Sequence, residues 1–266
     1  MSMLTHDLKA SMAFVERNFN LTKRYWGWEV AWLVYSVAGA LSVTLIGASL
    51  GDEQLLLILV IGTIFWNYLA IVFQFIGESV QWERWEGTLE YTFMAPVRRY
   101  AQLMGAALYA VLFGIVHTLC VLVVLTLFFE LDLSDANFVT AIAFTLLGTV
   151  SFIGIGIAAS VLPMMYVERG AQMVFVLQSV LLLVSGVYYS IDVLPDWMQF
   201  LSQFSPATYV LDGVRAGLID GASMADQWHN IWPLLVMPIV FIPLGLWAFG
   251  RAERYAKRTG RLKRVG

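Results

Sequence analysis

Residues 81–99 read QWERWEGTLEYTFMAPVRR, a compact charged stretch between two long apolar runs. At helical spacing Trp82, Trp85 and Leu89 share one face, and three glutamates occupy the adjacent face. The pattern predicts a short amphipathic helix, with an ordinary solvated loop as the alternative. Such a helix can bury its aromatic face against lipid or neighbouring helices and present its carboxylates to water or to another protein.

The composition around this stretch is that of a membrane protein. Of the 266 residues, 59% are hydrophobic and only 13% are charged, whereas soluble domains carry about 25% charged residues. In a bilayer interior the backbone satisfies its own hydrogen bonds, and long apolar runs do so as helices. We therefore predict an all-α polytopic membrane protein, and nothing in the sequence indicates a nucleic-acid-binding surface.

Six apolar runs flank or follow the charged stretch, and most reach the roughly 20 residues that cross a hydrocarbon core. The third run is longer, which indicates tilt or an extension beyond the membrane. The sequence thus predicts six transmembrane helices. Their approximate limits are residues 30–50, 55–76, 100–129, 137–162, 171–190 and 230–250.

The positive residues alternate between the connecting segments and predict the orientation. Lysine and arginine occur before the first run, in 77–99, in 163–170 and after the sixth run. Segments 51–54 and 130–136 contain none, and 191–229 contains only Arg215. Because positive loops stay on the cytoplasmic side, we expect both termini in the cytoplasm of a multi-pass protein of the cell inner (plasma) membrane.

The first residues predict a further helix that does not cross the membrane. Leu4, Leu8, Met12, Val15 and Phe19 recur at steps of three or four, which is typical of an amphipathic helix lying along the interface. The alternative is a solvated helix packed on another chain. The whole chain is then a single transmembrane domain, 1–266, whose parts are an interfacial helix (1–28), a six-span bundle (29–250) and a basic tail (251–266).

The segment between the fifth and sixth runs is too long and too apolar for a simple loop. Pro195 can begin one short helix and Pro206 a second, with Ser205 as a plausible N-cap. Neither helix is long enough to span. Together they predict a re-entrant helical hairpin between spans five and six, with a cap above the membrane as the alternative.

Catalytic and cofactor motifs are missing from the sequence. There is no GxxxxGK[ST] phosphate loop, and the glycine-rich run 154–159 lies in an apolar segment, where close helix packing explains it better than dinucleotide binding. His6, His117 and His229 are scattered, so we expect no metal site and no catalytic residue. We interpret His117 as a hydrogen-bonded core residue, and Cys120 as a buried small hydrophobe.

A few uncharged polar residues occur within the predicted spans. An unsatisfied amide is costly in lipid, so these side chains should face helix partners or a cavity. Contacts between helices and the wall of a transport pathway are both open interpretations. The candidates for lining a pathway are Asn67, Gln74, Gln178 and Ser179.

Two stretches resemble one known family. Residues 83–99, ERWEGTLEYTFMAPVRR, resemble the loop between spans two and three of ABC-2 type (type V, ABCG-like) exporter permeases. Residues 185–218, SGVYYSIDVLPDWMQFLSQFSPATYVLDGVRAGL, resemble the segment that follows span five in the same family. There a small-residue break, an aromatic pair, an LP-x-W element, a second proline and a closing arginine recur in this order.

The resemblance implies roles for both stretches. The first would be a coupling helix that docks on an ATP-binding subunit, and the second would help to close the outer end of the pathway. The implied coupling residues are Glu83, Arg84, Glu86, Gly87, Thr88, Leu89 and Glu90. The implied external gate and hairpin residues are Tyr188, Tyr189, Pro195, Trp197, Pro206 and Arg215.

The resemblance also implies the partners and the absence of a nucleotide site on this chain. Two copies of a separate ATP-binding subunit would hold ATP and Mg and hydrolyse the nucleotide, while a second permease chain, most simply an identical one, completes the pathway in membrane lipid. The implied cargo is a hydrophobic or amphipathic, drug-like molecule; a lipid-linked glycan or lipo-oligosaccharide is the alternative. A non-transporting scaffold or sensor that recruits a cytoplasmic partner is the alternative from another class.

Overall fold

The computed structural model describes residues 3–130 and 136–260, and over these residues the chain is helical and contains no strand. Arg261, Lys263 and Arg264 of the predicted basic tail lie outside the described residues, as does the side chain of Leu4. The helices are α1 (Met3–Arg24), α2 (Trp26–Leu50), α3 (Glu53–Gly77), α4 (Ser79–Trp85), α5 (Leu89–Met94), α6 (Arg99–Phe128), α7 (Phe138–Ala159), α8 (Val161–Met165), α9 (Gly170–Val184), α10 (Asp196–Ser202), α11 (Pro206–Leu218) and α12 (Trp228–Arg258). Short 3₁₀ turns at Ile191–Val193 and Met224–Gln227 precede α10 and α12.

Among the described residues, five helical segments are long and apolar enough to cross a membrane. They contain α2, α3, α6, α7 with α8, and α12. The helix at the predicted fifth span, α9, is apolar but has 15 residues. At about 1.5 Å per residue this helix is shorter than a hydrocarbon core about 30 Å thick. The chain leaves the helix at Ser185, and the left-handed Gly186 (φ 62°) follows.

The helices pack around α3, which contacts α2, α6, α7, α9 and α11. Phe73, Phe144, Phe152 and Phe249 are fully buried in one core that joins α3, α7 and α12. The outer faces of α2 and α6, in contrast, expose many large apolar side chains. Cys120 lies on α6 and is exposed, so its predicted burial is wrong. An apolar run that meets lipid and one that meets the core have the same composition, and sequence alone does not separate them.

Close approach of α7 and α12 depends on glycine. A Cβ added to Gly154 would lie 2.8 Å from Cβ of Phe241 and 2.9 Å from the backbone N of Ile242. A Cβ on Gly245 would lie 2.8 Å from the carbonyl oxygen of Gly154. The interpretation of the glycine-rich run as a close packing surface is therefore confirmed.

Two short helices follow the break after α9, as the two prolines predict. Pro195 precedes α10, and Pro206 is the first residue of α11. Ser205 occupies the N-cap position, but its side chain makes no capping hydrogen bond, so that detail of the prediction is wrong. Its Oγ lies 2.6 Å from Oγ of Ser185 instead, which joins the start of α11 to the end of α9.

Helix α11 folds back along the bundle, against the first half of α7 and beside α3. A Cβ on Gly217 would lie 3.1 Å from the side chain of Thr140, near the start of α7. The Arg215 guanidinium donates to the carbonyl oxygens of Gly186 (3.0 Å) and Val187 (2.6 Å). These bonds satisfy backbone acceptors left open where α9 ends.

Helix α1 packs on α6 through its polar side. Ser11 is buried, and its carbonyl oxygen would lie 2.5 Å from a Cβ on Gly105. The predicted apolar face is largely exposed beside a groove between α1 and α6, and Leu8, Met12 and Phe19 are each about 60% exposed. This orientation leaves the apolar side of α1 available to surroundings other than its own chain.

Candidate functional site

The charged stretch between α3 and α6 forms two short helices, α4 and α5, separated by residues 86–88. Gly87 adopts a left-handed conformation with φ 68°, which ends α4 and redirects the chain. The prediction of one amphipathic helix is therefore wrong in detail, because the glycine interrupts it. The two short helices present different residues to the surface than one continuous helix would.

Glu83 is buried inside the protein and does not face water, contrary to the prediction. Its side chain is only 2% exposed. The Oε1 atom lies 2.9 Å from Nη1 of Arg17 and accepts a 2.9 Å hydrogen bond from Nε2 of Gln102. Glu83 therefore ties α4 to α1 and α6, and the spacing within 81–99 contains no sign of these distant partners.

Arg84 fastens the same helix on its other side. The guanidinium is buried, and Nη2 donates to the carbonyl oxygen of Met164 at 3.0 Å. This contact joins α4 to α8, and burial lowers the pKa of Arg84. Two successive residues of the predicted coupling motif thus connect α4 to three other helices.

The turn after α4 contacts the junction between α1 and α2. Glu86 is half-buried, accepts a 2.7 Å hydrogen bond from the Tyr25 hydroxyl and lies 3.3 Å from Nη1 of Arg24. The hydrogen bond to this carboxylate raises the pKa of Tyr25. Gly87 and Thr88 are half-buried, and Leu89 is buried at the start of α5.

Arg99 holds the end of this segment. Its guanidinium donates to the carbonyl oxygens of Thr92 and Phe93, each at 2.8 Å, and its Nε lies 3.0 Å from Oε1 of Glu253. Glu253 also pairs with Lys257 at 2.7 Å. The result is a charge network that links α5, α6 and α12.

One face of α4 and α5 remains exposed, and we call it the α4–α5 surface. It combines two aromatic rings, a thioether and a carboxylate on a segment anchored from behind by Glu83, Arg84 and Arg99. Its residues are Trp85, Glu90, Tyr91 and Met94. Of the predicted coupling residues, only Glu90 is exposed on this surface.

The predicted pathway residues do not meet at one point. Asn67 and Gln178 are half-buried, and the amide oxygen of each is buried without a hydrogen-bond partner among the described residues. Ser179 is exposed and donates to the carbonyl oxygen of Phe175, within its own helix. Gln74 donates to Glu78 at 3.3 Å. His117 is buried as predicted, but its Nε2 lacks the expected partner among the described residues.

The predicted gate residues lie around the break after α9. Tyr188 and Tyr189 are half-buried beside it, and Trp197 is exposed on α10. Pro195 and Pro206 start the two short helices, and Arg215 binds the carbonyl groups between α9 and Tyr188. The segment is thus held as one unit by Arg215 and by the contact between Ser185 and Ser205.

The structure contains a recess that the sequence analysis did not predict. It has a volume of about 220 Å³ and lies between α2, α3, α4, α6 and α9. Aromatic side chains form most of its wall, and Glu29 and Glu78 both line it. Each glutamate lies at the edge of a predicted apolar run, and this position was the one sign of them in the sequence. Both line the same recess because four other helices pack around α3.

Comparison with known proteins gives one family and two relatives. Residues 10–219 match the family described as ABC-2 type transporter. The chain is 24% identical over 159 residues to the probable multidrug ABC transporter permease YbhR of Escherichia coli (strain K12), and equally to that of Escherichia coli O157:H7. Each alignment covers 60% of this chain and 43% of the relative, so the chain spans less than half of the length of the relatives it matches.

Proposed function

This chain belongs to the ABC-2 type transporter family, and from that membership we propose that it is the permease subunit of an ATP-driven exporter. Members of this family are membrane components of transporters. The long apolar helices of this chain are those of an integral membrane protein. The proposal adds the export direction, the ATP-binding partner and the class of cargo.

The observation that carries the proposal is the construction of the α4–α5 surface. Charged groups removed from the surface anchor it: the buried Glu83 to α1 and α6, the buried Arg84 to α8, and the half-buried Arg99 to α12. An exposed face with two aromatic rings and a methionine on so firmly connected a segment suits the docking of another protein. A displacement of this surface would be transmitted to several helices at once, because each anchor is a direct side-chain contact.

We propose that two ATP-binding subunits dock here and hold ATP and Mg, while this chain contributes no nucleotide site. Their closure would push the α4–α5 surface, and the anchored helices would move with it as a rigid-body switch. The role of this chain's residues is mechanical. Glu90 and its exposed neighbours receive the movement, and Glu83, Arg84 and Arg99 pass it to the bundle.

The remaining elements take places consistent with this function. In the proposal α9 and the α10–α11 hairpin together complete a sixth crossing, with the hairpin re-entrant at the outer end and both termini in the cytoplasm of the plasma membrane. A second, identical chain forms the other wall of the pathway. The apolar side of α1, with Leu8, Met12 and Phe19 exposed, lies in the lipid interface.

For the cargo we propose a hydrophobic or amphipathic small molecule. The two relatives bear the name of probable multidrug permeases, and the exposed recess and helix faces of this chain are largely apolar and aromatic. Such surfaces bind apolar molecules through burial and ring contacts.

Co-expression with a candidate ATP-binding subunit from the same genome tests the proposal. We expect both chains to co-purify in mild detergent and, in lipid nanodiscs, to hydrolyse ATP faster when hydrophobic drugs are added. Failure of every candidate subunit to co-purify, with the permease well folded, would contradict the exporter. Stimulation by lipid-linked sugars but not by drugs would contradict the proposed cargo.

A further inference from the structure

Among the described residues that line the recess between α2, α3, α4, α6 and α9 are two carboxylates and no basic side chain. Its volume is about 220 Å³, and Glu29 from α2 and Glu78, the residue that follows α3, both line it. Gln74 and Gln172 add amide groups to the wall. Glu78 is 9% exposed and Glu29 is half-buried, so both acids are partly removed from water.

Neither acid has a cationic partner within the described parts of the chain. Glu78 accepts one hydrogen bond, from Gln74 at 3.3 Å, and Glu29 forms no ion pair. The neighbouring basic residue Arg17 is paired with Glu83 at 2.9 Å. A carboxylate removed from water without a counter-charge is unfavourable, so a bound cation would stabilise this arrangement.

The wall of the recess is aromatic on several sides. Indole and phenyl rings carry negative charge on their faces, and they attract organic cations there more strongly than neutral molecules of the same shape. The rings of Trp82 and Trp85 meet edge to face, with centroids 5.1 Å apart. The aromatic residues that line the recess include Trp28, Trp32, Trp82, Trp85, Phe113 and Phe175.

We propose that this recess binds an organic monocation with an apolar body, whose charge is held by Glu78 and Glu29 and whose body lies against the tryptophan rings. The recess opens to the surroundings, because Trp28 and Phe175 on its rim are exposed. A ligand can therefore enter without unfolding any helix. The assignment deepens the proposed function, and its meaning as a cargo site rests on that function.

The geometry predicts how binding depends on pH. Burial raises the pKa of Glu78 to about 7. In the described part of the chain, Glu29 on α2 is the one other titratable group that lines the recess, since α4, α6 and α9 contribute no charged side chain there. Below pH 7 Glu78 is increasingly protonated, and its attraction for a cation is lost. Cation affinity should therefore fall between pH 8 and pH 6.

Equilibrium dialysis of the full chain in lipid nanodiscs tests the proposal without nucleotide or partner. The probes are 1-methylquinolinium, a planar cation, and quinoline, its uncharged counterpart at pH 8, with protein-free nanodiscs to subtract partition into lipid. We expect the cation to bind about tenfold more tightly than quinoline. Glu78→Gln should remove most of this preference and also the loss of affinity toward pH 6.

Glu130→Gln is the matched control, because Glu130 is an exposed acid outside the recess. It should bind both probes as the parent does. If Glu78→Gln does not fold, Trp28→Leu at the exposed rim replaces it and should weaken cation binding several-fold. The pH profile of the parent requires no substitution at all.

Equal binding of cation and neutral probe by the parent would overturn the proposal, as would an unchanged preference in a folded Glu29→Gln, Glu78→Gln double variant. A cation affinity that does not change between pH 8 and pH 6 would contradict the role of Glu78 in binding. Because no ATP-binding subunit is present, a selective cation site would stand even if the exporter failed its own test. Co-purification without cation selectivity would leave the exporter intact and reject the site.

Discussion

Glu83 is buried in the structure, although its position in the sequence predicts an exposed side chain. With Glu86 and Glu90 it recurs at helical spacing, which predicts a solvated face. In the structure its carboxylate binds Arg17 and Gln102 in the interior. Glu83→Gln keeps the shape of the side chain but leaves Arg17 without its counter-charge. We expect a loss of about 2 kcal/mol in the free energy of unfolding, below the value for fully buried pairs because Arg17 is partly exposed.

Thermal melting of the purified permease measures this loss as a lower apparent melting temperature. The control is Glu90→Gln, the same change at an exposed acid of the same segment. Its effect should stay within about 0.5 kcal/mol. Equal melting temperatures for the two variants would show that the buried pair does not stabilise the fold.

Glu90 is the residue at which docking can be tested most directly. It is exposed at the start of α5. Glu90→Lys reverses a charge on the α4–α5 surface without touching the buried anchors. We expect the affinity for the ATP-binding subunit to fall about tenfold and drug-stimulated ATPase activity with it, while permease chains still pair.

The comparison variant is Glu130→Lys, which makes the same change at an exposed acid beyond the other end of α6. Titration of the ATP-binding subunit into permease nanodiscs gives the affinity, and steady-state hydrolysis gives the coupling. Parental values in both measurements for Glu90→Lys would place the docking surface elsewhere.

At the scale of elements, the contact between α7 and α12 is set by glycine. Gly154→Val would place carbon atoms where the backbone of α12 already lies, within 3 Å of Phe241 and Ile242. Backbone atoms cannot rotate away, so the helices must separate. We expect destabilisation by about 2 kcal/mol, measured by thermal melting.

Gly39→Ala in α2 provides the contrast, because an added Cβ there meets nothing within 4 Å. This change should be neutral or stabilise the helix by up to about 1 kcal/mol. Similar destabilisation by both substitutions would indicate a general cost of replacing glycine and not the close packing of α7 on α12.

For the whole molecule, the proposed orientation places α5 and α10 on opposite sides of the membrane, so they should differ in their accessibility to a reagent added outside the cell. In a Cys120→Ala background, a cysteine at Glu90 should react with an impermeant maleimide only after cells are opened. A cysteine at Asp196 should react in intact cells. Both positions are exposed, so burial does not limit either reaction. The reverse labelling pattern would invert the proposed orientation, and labelling of both in intact cells would place them on one side.

The helical class, the positions of most long helices, the two helices that prolines begin and the family resemblance can all be read from the amino-acid sequence. These follow from local signals: apolar run length, proline position and short motifs act within a few residues. Which side of each helix is buried depends on how distant parts of the chain pack together. Glu83 pairs with Arg17, Arg84 donates to Met164, and Glu78 lines the same recess as Glu29; each of these partners comes from a distant part of the chain. In a chain whose lipid-facing and core-facing surfaces are equally apolar, composition does not distinguish the two, and packing does.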